Sequence, residues 1–583
     1  MTGLHRFQLC VILITKLASA NIAWATQGNE EQAKILIHYQ QKDDSWDVEY
    51  QLNPPAERLV FSRAGNLNRA SLFQIDASLY QWDALGRAQV IKRIDGKPIS
   101  KLNLSFKSNY DFIQKDYTPN IKFTDGGVMF FTHYLTLSET SFSRDTSQVT
   151  DKLIANTQLH FFSPNQTITF LGEVYQEKAK WKPNEKGTYV FFGDNKAIEK
   201  EDLVAIVDTG VPKWVWENTR KYLPKLFTFY RNKTGQTLNF RPFVFLNFDK
   251  VDGEFSNYSG GTLPGLVQLS VLGGRWKEKN EKQFNTLFHF VAHESAHFWN
   301  GNMFGYEDGR HSWMHEGGAD AFANFAMRDF GLLTDEEMLE KFEVAANKCI
   351  TRKGGESLEE SGAIWRAKNY YYCGAVMSLA SHLVVKAKHP DKTIFDLWGD
   401  IFKRVKSSKK SDYNQDMYFE ALTALSGSSR LSDEMAHFSR SKNLDNAQVL
   451  AAFFDNTEVK AEFQYKFPSW VARHWGDEIP RRIMSMHCQR MNIGQYDDFA
   501  QLYPVAGCKP FEKTLEVRYM EDIDIRLDGI TAYTLFREKC EKREKVKLKN
   551  RKKVLVAEVQ CLEKVAPLEP YLKFVKRNVD RAI

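Results

Sequence analysis

The residues best suited to do chemistry lie in one pentapeptide, His293-Glu294-Ser295-Ala296-His297. On a helix, histidines four positions apart sit one turn apart on one face, so both imidazoles can reach a single ion. Glu294, beside the first of them, can reach a water on that ion and act as general base. Two hydrogen-bonded histidines of a buried helix would look the same over five residues, but the sequel favours a metal. Eighteen residues separate His297 from Glu316, which begins another helical run, Glu316 to Phe330. A catalytic zinc takes three protein ligands and keeps one position open for water. His293, His297 and Glu316 supply that set, for one Zn2+ per chain. His289 offers an alternative pair with His293, but no acid follows it to serve as base, so it reads as packing or support for a ligand. His315 beside Glu316 is ambiguous, and Asp320, one turn further on, either orients a ligand imidazole or sits on the helix surface.

The spacing, the Gly301-Asn302 pair and Trp313-x-x-Glu316-Gly317-x-Ala319 together resemble the gluzincin metallopeptidases, above all the aminopeptidase-N and leukotriene-hydrolase family. By this resemblance His293, His297 and Glu316 bind zinc and Glu294 activates the water. The family also has a Tyr-x-x-Gly at the start of a helix, whose phenol stabilises the oxyanion. Here Tyr371-Tyr372-Cys373-Gly374 fits, making Tyr371 the candidate donor, with Tyr370 and Tyr372 on either side as alternatives. One stretch departs from the pattern. Where the family has Gly-x-Met-Glu-Asn, with a Glu that holds the substrate amine, this chain has Gly260-Gly261-Thr262-Leu263-Pro264. Gly260, Gly261 and Thr262 correspond to the substrate-binding stretch, but Leu263 brings no carboxylate. Glu254 or an acid of the N-terminal domain could replace it. The next strand, Leu266 to Val271, is a candidate to pair with an extended peptide. The electrostatic reason for requiring a free N-terminus is thus missing, while peptide hydrolysis keeps its machinery. Exo- or endopeptidase action is left open.

These residues need elements to hold them. Residues 32 to about 205 read as short β-branched or aromatic strands separated by turns such as Asn53-Pro54-Pro55 and Asp125-Gly126-Gly127. That pattern predicts an antiparallel β-sandwich. The period changes at 212–232, a helix that Pro224 must bend or end. Another helix is expected at about 282–299, and residues 314–455 read as helix after helix. Strands return after about 460 with one amphipathic helix near 531–541. The expected class is therefore α+β and multidomain: a signal peptide at 1–25, a β-sandwich at 26–205, a thermolysin-like, mostly helical catalytic domain at 206–455, and a small α+β domain at 456–583. The order of elements in the last is similar to part of a PDZ domain, a layout that also resembles glycyl aminopeptidases.

The first 25 residues carry a short apolar core, Phe7 to Thr15, followed by Ala18-Ser19-Ala20 and Ala23-Trp24-Ala25, which predicts export to a periplasm or the medium. Nine apolar residues are too few for a membrane anchor, since spanning takes about 20. Beyond Cys10, the six cysteines 349, 373, 488, 508, 540 and 561 suit disulfides in an exported chain, and neighbour pairing is the simplest arrangement. The net charge of +6 is accounted for by one stretch, Arg537 to Lys553, with ten Lys/Arg against three Glu. A local run of that kind reads as a solvated face rather than a nucleic-acid surface. The expected partner is a peptide or protein substrate, with oligomeric state open. Two other classes compete: a catalytically silent gluzincin scaffold that binds peptides or a partner protein, and a hydrolase of a non-peptide bond.

Overall fold

The computed structural model describes residues 31–577, apart from 63–67, 87, 112–116, 144–149, 151, 195–196, 202, 250–254, 364–365, 489–492, 504–506 and 509–510. The expected signal segment with Cys10, and Glu254, lie outside the described residues. The chain divides into two compact units, Met1–Asp194 and Asn195–Ile583.

The first unit is built on strands that bury every second side chain. Ala33–Gln40 turns Ala33, Ile35, Ile37 and Tyr39 inward, the two-residue period of a half-covered sheet. Ten of its strands matter most: nine form one sheet, whose centre runs Ile99–Lys107, Ser45–Ala56, Ala33–Gln40, Thr157–Phe170, Tyr189–Phe192, and a tenth, Ala88–Arg93, is the middle of a separate three-stranded sheet. Trp46, fully buried, anchors the core, with Phe130 at 4.7 Å and Phe192 at 5.2 Å between ring centroids. One pairing departs from the antiparallel expectation. Ala33–Gln40 and Thr157–Phe170 run parallel, which the long intervening excursion of chain makes possible.

The second unit opens with a five-stranded sheet. Its strands are β1 (Ile198–Lys200), β2 (Leu203–Val207), β3 (Phe243–Asp249), β4 (Asn257–Leu263) and β5 (Leu266–Leu272), in spatial order β1-β2-β3-β5-β4. β5 is therefore an inner strand, paired with β3 on one side and β4 on the other. The expectation that Leu266 to Val271 could receive a peptide is corrected: both of its edges are taken, and β4 is the outer strand. Helix α1 (Lys213–Thr234) runs on through Pro224 instead of ending there. Then come α2 (Glu281–His297), α3 (Ser312–Asp329), α4 (Asp335–Lys353), α5 (Lys368–Lys388) and α6 (Ile394–Ser407). Asn280 caps α2 by accepting from the Gln283 N–H, and Thr334 with Glu337 forms a capping box on α4. A helix absent from the sequence reading, α7 (Ser469–His487), carries Pro480 in its interior. Strand Tyr571–Lys576 pairs with Val459–Gln464. The cysteines pair as neighbours, Cys349–Cys373, Cys488–Cys508 and Cys540–Cys561. Basic residues of the 537–553 stretch meet carboxylates, among them Lys549 with Asp522 at 2.8 Å and Arg551 with Glu516 at 2.8 Å.

Two glycines set the spacing of α3 and α5. A Cβ on Gly317 would lie 2.1 Å from the Gly374 carbonyl carbon, and one on Gly374 would lie 2.2 Å from the Trp313 oxygen. Backbone meets backbone there, so neither obstacle can rotate away. Overpacking of this kind costs about 1–3 kcal/mol, more when the obstruction is main chain. Gly374→Ala is expected to lower the thermal midpoint by several degrees, because the helix bearing Glu316 must move; calorimetry reads it. An unchanged midpoint would show that the contact relaxes freely.

Candidate metal centre and its surroundings

α2 buries one stripe, including Phe284, Leu287, Phe288 and Val291, against the unit's core. Its last turn then presents His293 and His297 towards α3. Their Nε2 atoms are 3.2 Å apart, and Glu316 Oε2 lies 3.3 Å from the first and 3.5 Å from the second. All three ligand atoms fall within 4.8 Å of one another.

The outer nitrogens are already committed. His293 Nδ1 lies 2.8 Å from Asp320 Oδ1, and His297 Nδ1 lies 3.0 Å from Asn300 Oδ1. Each acceptor holds the proton on Nδ1 and leaves an Nε2 lone pair facing inward. Two lone pairs and a buried Glu316 Oε2 that accepts no hydrogen bond then point at the same space. A cation completes that arrangement, and the donor set suits zinc. Charge agrees. Burial opposes protonation of His293, yet Asp320, Glu316 and Glu294 override it and raise its pKa to about 10, so that a proton on Nε2 stands where a cation would displace it. Burial pushes Glu316 up as well, and the two imidazoles more than reverse this, holding it well below the usual carboxylate range. The site favours positive charge at its centre.

Asp320 thus fixes the His293 ring from α3, the same helix that carries Glu316. Asp320→Ala is expected to weaken zinc binding roughly ten- to a hundredfold, measured by competition with a chromogenic chelator. Equal affinity would show that the hydrogen bond does no positioning. Asn300 was missed by the sequence reading, although it lies three residues past His297 and so on the same face. It sits in a π-helical turn, Phe298–Met303, that follows α2, a distortion often found at functional positions. Its Nδ2 donates to the His315 carbonyl at 2.9 Å, and its own carbonyl accepts from Tyr413 Oη at 2.7 Å. His315 is not a ligand here: it stacks between His297 and Tyr306, with centroids at 3.9 and 4.5 Å. Burial depresses its pKa to about 3 and that of His289 to about 4.

Glu294 faces the outer strand β4. Its Oε2 lies 2.7 Å from Thr262 Oγ1, and its carbonyl lies 2.8 Å from the same hydroxyl. Thr262 is therefore placed to hold the carboxylate. Gly260 lets β4 approach β5: at φ +156°, a Cβ there would lie 2.1 Å from the Gln268 oxygen. Gly261, by contrast, faces open space, and a Cβ there would meet nothing within 4 Å. Leu263 is buried, and its carbonyl accepts from Asn302 Nδ2 at 3.3 Å.

The three tyrosines divide cleanly. Tyr370 Oη lies 3.1 Å from the Gly362 nitrogen and 3.1 Å from the Glu359 carbonyl, tied to a loop. Tyr372 lies under Lys348 and Arg352. Of the three, Tyr371 stacks on His293, its ring 5.5 Å from that of the histidine at 13°. Burial and then the neighbouring Glu316 push its phenol well above the ordinary range, so it stays protonated and able to donate.

No protein-family model matches the chain, and no curated protein matches its sequence. Among solved structures it is similar to native yeast LTA4 hydrolase, with 10% identity, a TM-score of 0.41, and coverage of 77% of this chain and 72% of that one. It is also similar to an aminopeptidase N family protein from Idiomarina loihiensis, with 12% identity, a TM-score of 0.59, and coverage of 93% of this chain and 98% of the other. Its fold is thus the mixed α+β, multidomain architecture of that aminopeptidase N family protein, a β-rich N-terminal part followed by a helical region.

Proposed function

We propose that this chain is an exported zinc metallopeptidase that hydrolyses peptide bonds. The observation that carries the reading is the convergence of His293, His297 and Glu316, with Glu294 on one side and Tyr371 on the other. Zinc in such a set supplies Lewis acidity and makes a water acidic near neutral pH. The protein's own residues do the rest. Thr262 holds Glu294 in position to take the proton of the attacking water and later hand it to the leaving amine. Tyr371 donates to the oxygen on which negative charge develops. Asp320 and Asn300 keep both imidazoles in the ligating tautomer. The fold likeness to an aminopeptidase N family protein supports the same reading, as do three disulfides for an oxidising compartment.

Leu263 decides how the substrate is read. With no carboxylate at that position, nothing on β4 attracts a free amine. A peptide pool, half with free and half with acetylated N-termini, is expected to be cleaved in both halves, with a zinc chelator stopping both. Trimming of free peptides alone would mean that another acid anchors the amine. Zinc bound without cleavage of either half would overturn the hydrolase and leave a peptide-binding scaffold.

A further inference from the structure

Near Tyr371 and Tyr372 runs a wall of cations that outnumber the acids around them. Lys341, Lys348 and Arg352 stand seven and four positions apart on α4, which places them on one helical face. That face is half-buried rather than open. Lys348 Nζ lies 5.2 Å from the Tyr372 ring centre and Arg352 Cζ lies 5.8 Å from it. One turn before, Lys368 Nζ sits 4.1 Å above Tyr371, the ring that stacks on His293. One aromatic ring therefore separates Lys368 from His293, and the neighbouring ring, Tyr372, meets Lys348 and Arg352.

The local carboxylates are spent elsewhere. Glu478, buried on α7, already meets Arg366 at 3.5 Å, Arg481 at 3.7 Å and Arg482 at 3.8 Å. Asp320 is engaged by His293, and the acids felt by Lys341 besides it are Glu337 and Glu340 on its own helix. Among the described residues no ion pair joins Lys348, Arg352 or Lys368 to an acid, and the buried Nε of Arg352 has no hydrogen-bond partner. His474 also faces this wall from α7, and burial keeps it neutral, with its pKa lowered to about 3. Like charges gathered in a half-buried wall repel one another and lose hydration, and an anion relieves both.

We propose that Lys348, Arg352 and Lys368, ranged over Tyr372 and Tyr371, form a carboxylate-binding subsite beside the metal centre, so that the favoured peptides place a free carboxylate there. The word substrate here rests on the hydrolase reading above; the subsite itself rests on the cations. Either an acidic side chain or a peptide C-terminus could bring the carboxylate, and the two are separable.

Four peptides of one sequence, with Glu or Gln at one position and a free or amidated C-terminus, test this. Affinities are measured on zinc-loaded Glu294→Gln protein and kcat/KM on the unaltered chain. Neutralising the relevant carboxylate is expected to cost roughly tenfold or more in both, and which of the two does so identifies its source. Lys348→Met and Arg352→Met should abolish the discrimination, bringing the charged peptides down to the level of the fully neutral one. Lys348→Arg should restore it, which a merely structural role would not do. Equal affinity for all four peptides, or discrimination surviving in both Met variants, overturns the subsite. Cleavage without discrimination defeats this inference alone, and discrimination in binding without cleavage defeats the hydrolase reading alone.

Discussion

Glu294→Gln is expected to bind zinc as the unaltered chain does and to lose at least roughly a thousandfold in peptide hydrolysis, the upper part of the range that general acid–base groups contribute. The substitution is nearly isosteric, and Glu294 is not among the converging ligand atoms. Its Oε2 also sits against the Thr262 hydroxyl, which can donate equally to an amide oxygen. What disappears is the ability to accept a proton. Zinc content by atomic absorption and kcat/KM on one cleavable peptide form the measurement. Loss of activity with loss of metal would instead place Glu294 in the coordination sphere. Activity within tenfold of the original would move the proton to another base, and Thr262 would then hold Glu294 for structural reasons only.

The second large effect belongs to the ligands. His297→Ala leaves His293 and Glu316 alone, one donor short of what a catalytic zinc requires. The expected zinc content falls from one per chain to near zero after dialysis, and activity falls with it. Stability gives an independent readout. A ligand that binds only the folded chain raises its midpoint by mass action, so a chelator should lower the thermal midpoint of the unaltered protein and leave that of His297→Ala unmoved. A variant that keeps its zinc would mean that His315, stacked 3.9 Å from His297, can turn to replace it.

The grouping of His293, His297 and Glu316 was legible because it obeys helical spacing. Four positions between histidines and an acid at the head of the next helix need no tertiary information. Asp320 was only half legible: its place one turn beyond Glu316 was plain, but that it faces His293 depends on the contact between α2 and α3. That contact is set by packing, as is the choice of Tyr371 among three adjacent tyrosines. A run of three tyrosines samples three directions around a helix, and the Gly317–Gly374 approach decides which one meets the metal site. The inner position of β5 was misread because strand order within a sheet is not written in an apolar run. α7 escaped notice for a different reason. Pro480 and several aromatic or β-branched residues lower its intrinsic preference, and burial of Trp475, Ile479 and Ile483 outweighs this. The cation wall was invisible for the opposite reason: lysines seven residues apart look like ordinary solvated helix until an aromatic pair and a ligand histidine are placed beside them.

The back of α4 rests on a strand near the end of the chain. Asn347 exchanges hydrogen bonds with the Leu572 main chain at 2.8 and 2.9 Å, and Glu343 accepts from the Phe574 N–H at 2.9 Å. Both side chains are buried, so the strand Tyr571–Lys576 supplies the main-chain groups on which this face of α4 rests. The same helix holds Cys349, whose disulfide reaches the residue next to Gly374. His293, His297 and Glu316 thus precede by more than 250 residues the strand on which α4, the next helix, rests. Removing Tyr571–Lys576 would therefore leave α4, the helix after Glu316, without these main-chain partners.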